Sequence, residues 1–442
     1  MRIAMTKRLF AWDELTDSME VSTIRETLAG VPDGELLEGL RQWRGRGRDD
    51  YPVRALWGTV LLTILLRHVS VEACLAELRR NEALRRIIGI ESEEGVPKKW
   101  NVSRFLKTLG TEPHLTGVRR VFEVMAQKLA IVVPDLGRSL AGDSTGLSAR
   151  PVTSREGQRE DLPVPEDGRK EYTDEEGRVT RVVEWHGYKL HLLADTRHEV
   201  SLAYQTTSAK AADATTLPAL VEEAERALPK GRIETLAYDM AADSAAVHRM
   251  LRDKGIRPLI ENRRLWKEEY ERALSGNVVY DEAGTVYCYD VVSKPPVRRK
   301  MAYIGHEPSR GTLKYRCPAR HDGRRCRSDA RCNGSRRYGK TVRVRSDIDL
   351  RRFPPIPRAT KTFERLYKER TAVERVNARL KVFWGADDGN IAGGNRFFAF
   401  VGAVMIVHLA LATLLASAPR REGTLGKMRL SPIAQALRTK RA

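Results

Sequence analysis

Three carboxylates, Asp143, Asp239 and Glu374, and three side chains around the last of them, Tyr367, Arg370 and Lys381, are the residues whose spacing could do chemistry. Glu374 and its neighbours lie in "YKERTAVERVNARLK", residues 367–381. On an α-helix of about 100° per residue, Tyr367, Arg370, Glu374 and Lys381 share an arc of roughly 60°. That face carries one hydroxyl, one carboxylate and two cations. Taken alone, Arg370 and Glu374 make an i,i+4 surface pair worth about 0.3–0.5 kcal/mol. The other two acids open a second reading. "RSLAGDST" reads as a short strand ending at Asp143, and "RIETLAYD" as a strand ending at Asp239. Ligand and catalytic groups of open α/β sheets collect at such ends. If the two strands are neighbours, their carboxylates converge. Carboxylate oxygens with few other ligands suit Mg²⁺, which keeps several waters and is completed by substrate phosphate. A third carboxylate from a helix crossing the sheet edge would finish a two-metal site for in-line phosphoryl displacement. Flanking cations can hold backbone phosphates and stabilise developing charge.

The elements that must position these groups follow from the patterning. Residues 1–135 read as helical, with Pro52 opening "YPVRALWGTVLLTILLRH" and Ser70 capping the next helix. Leu75, Leu78, Leu84 and Ile87 recur there at helical spacing. "VPKKWNVSRFLKTLG" reads as a loop and a short basic helix; a helix-turn-helix fits this region, but no recognition helix stands out. From 136 the order is three strands, then helix, strand, helix, strand, which is an α/β layer. A polar stretch, 153–176, rich in Glu, Asp, Gly and Pro, reads as a loop. Residues 265–358 interrupt the layer with short strand-like pieces. Sixteen Lys and Arg face three acids between Arg298 and Arg345, a density suited to phosphate. From Thr362 the chain is helical again and runs into "FFAFVGAVMIVHLALATLLAS", 397–417. That run is about long enough to span a bilayer. Its His408, its alanines and its isolation in a polar chain favour a buried core helix. The boundaries are therefore 1–135, helical and DNA-binding; 136–264 with 359–418, α/β; 265–358, a basic β-rich insertion; and 419–442, a basic tail.

The whole chain, 442 residues, carries a formal net charge of +20. A chain that basic is attracted to polyanions, nucleic acid first. Its excess of arginine favours phosphate, which the guanidinium fork matches. Five cysteines make no disulfide scaffold and fit a reducing cytosol. The first twenty residues hold no apolar run long enough for a signal peptide.

These residues resemble a known family. "YKERTAVERVNARLK" fits, at every position, the Tyr-x₂-Arg-x₃-Glu-x₆-Lys ("YREK") signature of DDE transposases from bacterial insertion sequences. "AGDST" is similar to their first-Asp segment, "HGYKLHLLAD" to the strand pair that follows, and "LAYDMAADS" to the second-Asp segment. Ala242 stands where the family often has an aromatic. The resemblance spans 136–417, more loosely the helical start. It implies an RNase H-like mixed sheet with flanking helices, and Asp143, Asp239 and Glu374 as ligands of two Mg²⁺ ions, with Mn²⁺ able to substitute. It implies that Tyr367, Arg370 and Lys381 contact phosphates near the transposon end. The implied activity is cut-and-paste strand cleavage and transfer on terminal inverted repeats and target DNA, by a dimer, in the bacterial cytoplasm at the nucleoid and without a membrane. The 134 residues between Asp239 and Glu374 suit the family's habit of inserting a β-rich domain there. A nuclease of the same fold, or an inactive DNA-binding derivative, are the alternatives.

Other residues carry smaller expectations. Cys288, Cys317, Cys326 and Cys332 could make a structural zinc site, but none of their intervals is the two-residue knuckle; free thiols are the alternative. Trp266 is a structural aromatic or a base-stacking one. Lys189 and His191 share one strand face, toward the cleft or toward solvent. Asp195, Asp213 and Asp243 suit turns and helix caps.

Overall fold

The computed structural model describes residues 19–46, 50–150, 162–173, 178–266, 270–388, 390–417 and 424–425. The chain's first eighteen residues and nearly all of the basic tail lie outside these. Among the described residues seven helices come first: α1 (Met19–Ala29), α2 (Gly34–Arg44), α3 (Val53–Leu65), α4 (Val71–Arg80), α5 (Glu82–Ile87), α6 (Lys99–Leu109) and α7 (His114–Val132). Pro52 precedes α3, where a fixed φ and a missing N–H cost nothing. Ser70 caps α4 by accepting the Ala73 N–H at 3.2 Å, as its position predicts.

The sheet is built from β1 (Ser139–Ser148), β2 (Glu166–Thr173), β3 (Val179–Asp195), β4 (Ser201–Ser208), β5 (Thr235–Tyr238) and β6 (Arg257–Ile260). Its main path runs β2-β3-β1-β5-β6, and β4 pairs with β3 off this path. β3 is antiparallel to β1 and β4, while β5 and β6 run parallel to β1 and to each other. This mixed order is the RNase H-like fold. Helices α8 (Asp213–Ala227) and α9 (Ala245–Asp253) join the strands. Gly255, at φ +72°, ends the second of these, a left-handed position that glycine takes without a Cβ penalty.

One segment differs from the sequence reading. Residues 166–173, inside the polar stretch read as a loop, form β2. This strand has no apolar alternation to announce it. It is held by backbone pairing to the outer half of β3, from Glu166↔Gly187 to Thr173↔Val179, so the pair continues as a hairpin beyond the sheet.

The insertion has two sheets of its own. One holds β7 (Glu271–Ser275), β8 (Val278–Asp281), β9 (Val286–Asp290) and β10 (Val297–Lys300); the other holds β11 (Ala302–Glu307), β12 (Thr312–Arg316) and β13 (Thr341–Arg345). Short helices α10 (Pro318–His321) and α11 (Asp329–Asn333) lie between β12 and β13. Its core is separate and small: Val278, Tyr280, Val286, Met301, Leu313, Tyr315, Val344 and Phe353. By contrast, the N-terminal helices share one continuous core with the six-stranded sheet. They form a layer of that unit rather than a lobe with a core of its own.

Three helices close the fold: α12 (Lys361–Lys368), α13 (Thr371–Val382) and α14 (Gly394–Ser417). α14 is long and apolar enough to cross a membrane, yet it packs against α7, α6, α3 and α1. His408 explains how it tolerates a polar group. Fully buried, the imidazole is pushed down to about 3 by burial and stays neutral, and its Nε2 accepts the Ser201 N–H at 3.1 Å.

Candidate active site

β1 does not end at Asp143; it continues five residues further. What ends is its pairing with β5, whose register runs Ser139↔Thr235, Leu140↔Leu236 and Ala141↔Ala237. Two residues beyond Ala141 is Asp143, and two beyond Ala237 is Asp239. The parallel register thus sets the two acids level, where the strands part. Gly142 permits the close approach: a Cβ there would fall 2.2 Å from the Tyr238 ring and 2.9 Å from Leu193. Asp239 leaves β5 directly, and its Oδ1 accepts the Ala241 N–H at 2.9 Å, which fixes the carboxylate at the head of a 3₁₀ turn.

Glu374 comes from the first turn of α13. The stretch 367–381 is not one helix. It breaks at Glu369–Arg370, where the Glu369 and Arg370 N–H groups bond to Leu366 and Tyr367, three residues back. The tightened turn places Tyr367 on α12 and Glu374 and Lys381 on α13. α13 buries Ala372, Val373, Val376, Asn377 and Leu380 and packs on β1 and β3. Its other side grips the β3–β4 turn. Arg375 Nε meets Glu199 Oε1 at 2.7 Å, and Arg379 pairs with the same carboxylate. Glu199 sits at φ +55°, an uncommon conformation for a side-chain-bearing residue, so the two arginines hold a strained turn and orient the helix with it.

The electrostatics centre on Arg370. Its Nη2 is 2.8 Å from Glu374 Oε1. Burial works against its charge, but Tyr367, Glu374, Asp143 and Asp239 outweigh it and raise the guanidinium above its ordinary value. All three acids therefore act on a single cation. Asp143 is 8% exposed. Burial raises its carboxyl above the usual range, Asp239 adds to that, and Lys170 and Arg370 oppose it. Lys170 Nζ, on β2, stands 3.9 Å from Asp143 Oδ1. Asn377 Nδ2, one turn beyond Glu374, donates to Asp143 Oδ2 at 3.1 Å. Neither Lys170 nor Asn377 figures in the sequence reading. The signal for Asn377 was a polar residue at a core position of an amphipathic helix; Lys170 lay in an unpatterned stretch.

Tyr367 is half-buried and stacks on Phe363 at 5.5 Å, near-parallel. Burial raises its hydroxyl, which stays protonated. Lys381 turns toward β1: its ammonium donates to the Gly146 carbonyl at 2.5 Å and pairs with Asp387 at 3.0 Å.

Lys189 and His191 face inward. Both meet Asp213, at 2.8 and 3.3 Å, and Ser144 donates to the same carboxylate at 3.0 Å. Asp213 is thus a buried counter-charge beside the catalytic strand and makes no cap bond. Asp195 fills the turn role, accepting the Gly137, Arg197 and His198 N–H groups. Asp243, expected to cap, is a buried hub. It pairs with Arg351 at 2.6 Å, His248 at 2.9 Å and Arg358 at 3.5 Å, so it ties the insertion's exit to the segment behind Asp239. Trp266 is held between Arg272 and Arg352, whose guanidinium centres lie 4.3 and 4.5 Å from its ring, and packs edge-on to Tyr280. It is a structural aromatic of the insertion.

Cys288, Cys317, Cys326 and Cys332 are free thiols. Asn333 Nδ2 reaches Cys317 Sγ at 3.4 Å, and Asn277 Nδ2 lies 4.0 Å from Cys332 Sγ. Burial pushes the Cys288 thiol up to about 11. Among the described residues no three His, Cys, Asp or Glu side chains are placed to hold a metal ion. Amides reach two of the four sulfurs, Cys317 and Cys332, while Cys317, Cys326 and Cys332 all act electrostatically on Cys288; a zinc shell there stays a proposal. Asp143, Asp239 and Glu374 stand around Arg370, which pairs with Glu374. By chemistry they fit a divalent cation: three hard carboxylates around one positive charge.

A family profile described as "Transposase DDE domain" matches residues 138–410. Among solved structures, a Mos1 transposase paired-end complex with left transposon end is similar at 13% identity, over 48% of this chain and 60% of that one, with a TM-score of 0.17. The match thus spans less than two thirds of the Mos1 chain. No curated protein matches.

Proposed function

Since the chain belongs to the DDE transposase family, we propose that Asp143, Asp239 and Glu374 hold Mg²⁺, or Mn²⁺ in its place, and that the site cuts and joins the ends of an insertion sequence. The observation that carries this reading is the level placement of Asp143 and Asp239 beside a guanidinium that Glu374 also contacts. Two bound ions would supply charge at the attacking and leaving oxygens of an in-line displacement. The chain's own groups do the rest. Asp143, ringed by Asn377, Lys170 and Arg370, is fixed at one orientation. Arg370, which stands among the three acids, would grip a backbone phosphate in a forked pair. Tyr367 keeps its proton and donates to a second phosphate oxygen. Lys381, bonded to Gly146 and Asp387, has a third N–H left for phosphate. The basic insertion and the +20 overall charge draw DNA to this face. The partners are the element's terminal repeats and target DNA, handled by a dimer in the bacterial cytoplasm.

The test is to incubate the protein and Mg²⁺ with DNA carrying candidate element ends. Excision followed by joining supports cut-and-paste transposition. Nicking without joining reduces the reading to a nuclease, and binding without cleavage defeats it.

A further inference from the structure

Asn377 has a polar side chain at a core position of α13. It is 6% exposed, between Val376 and Leu380, both fully buried. Burying a carboxamide costs free energy unless its groups are bonded. Its Nδ2 is satisfied by Asp143 Oδ2 at 3.1 Å, whereas its Oδ1 is buried without a partner. An apolar side chain of the same size would fill the position at less cost. The bond also joins the two elements whose separation matters. Asp143 is on β1, and Glu374 is one turn before Asn377 on α13.

We propose that Asn377 is a positioning residue for metal binding. It occupies one oxygen of the first acid, turns the other toward the site, and fixes the strand of the first acid to the helix of the third. This rests on the reading of Asp143, Asp239 and Glu374 as metal ligands. Groups that orient ligating carboxylates typically change metal affinity or activity by about 10–100-fold.

The experiment measures Mn²⁺ binding to the full-length protein without DNA, alongside Mg²⁺-titrated cleavage, for the wild type, Asn377→Ala and Asn377→Leu. The leucine variant keeps the volume and discards the hydrogen bond. Both variants are expected to bind Mn²⁺ roughly 10–100-fold more weakly and to need more Mg²⁺ for half-maximal cleavage, with DNA affinity unchanged. A packing role predicts instead that Asn377→Leu binds and cleaves as the wild type does, and that result overturns the inference; should Asn377→Ala not fold, the leucine variant decides alone. Glu374→Gln is measured in parallel. If it loses Mn²⁺ while the Asn377 variants keep it, only this inference falls. If Glu374→Gln binds Mn²⁺ as the wild type does, the metal-ligand reading falls with it.

Discussion

Asp143 shows what a reactive carboxylate costs its own fold. Burial, with Asp239 nearby, raises its folded pKa above the ordinary value despite Lys170 and Arg370. A raised carboxyl pKa means that ionisation is harder in the folded chain than in the unfolded one. Stability is then lost as pH rises through the ordinary carboxylate range and past the folded value. Asp143→Asn removes the charge while keeping an oxygen for the Asn377 N–H. In metal-free protein it is expected to melt at a higher temperature than the wild type at pH 7, with the difference shrinking toward pH 3, and to have no cleavage activity. Thermal melts across that range check it. The opposite case is Asp243, whose carboxyl is held well below the usual range: His248 and Arg351 bonds outweigh its burial. At this scale the sequence singled out the three acids, Asp239 at a strand end and Glu374 within its charged motif, whereas Asp143 lies inside β1 and not at its end. Asn377 and Lys170 were not legible, since their roles depend on which strand lies across from them.

At the scale of elements, register does the positioning. Two residues beyond the last parallel pair, Asp143 and Asp239 stand level, and the Tyr238 ring over Gly142 keeps the strands close. Gly142→Ala puts a methyl 2.2 Å from that ring. It should destabilise the protein by about 1–3 kcal/mol, the usual cost of overpacking, and move the first acid off its level. Denaturant melts and cleavage assays read both effects. The strands and helices around the site were legible from alternation, the Ser70 cap and the Gly255 stop. Two features were not. β2 owes its existence to backbone pairing with β3 and leaves no side-chain pattern. The break at Glu369–Arg370 keeps α-region dihedrals, so a continuous helix and a tightened turn look alike in sequence.

For the whole molecule, the important junction lies between the insertion and the sheet. The insertion's core is eight buried side chains, and its exit is pinned by Arg351 and Arg358 to Asp243, four residues beyond the second acid. Asp243→Ala leaves two arginines without their buried counter-charge. Removing one partner of such a set costs about 3–5 kcal/mol, so a lower unfolding midpoint and loose attachment of the insertion, seen as faster proteolysis near residue 265, are expected. The insertion's basic composition was plain in the sequence; its anchoring was not, because Asp243 read locally as a cap. The shared core of the N-terminal helices and the sheet was likewise hidden, since helical periodicity says nothing about which layer a helix joins.

The central claim is that Glu374 works as a metal ligand and not as one half of a surface ion pair, although 49% of its side chain is exposed and bonded to Arg370. The direct measurement is strand cleavage of an element end by Glu374→Gln in Mg²⁺, with DNA binding and thermal midpoint recorded on the same preparation. Cleavage should be abolished while binding and folding stay near wild type. Cleavage at the wild-type rate would contradict the account and return Glu374 to the surface.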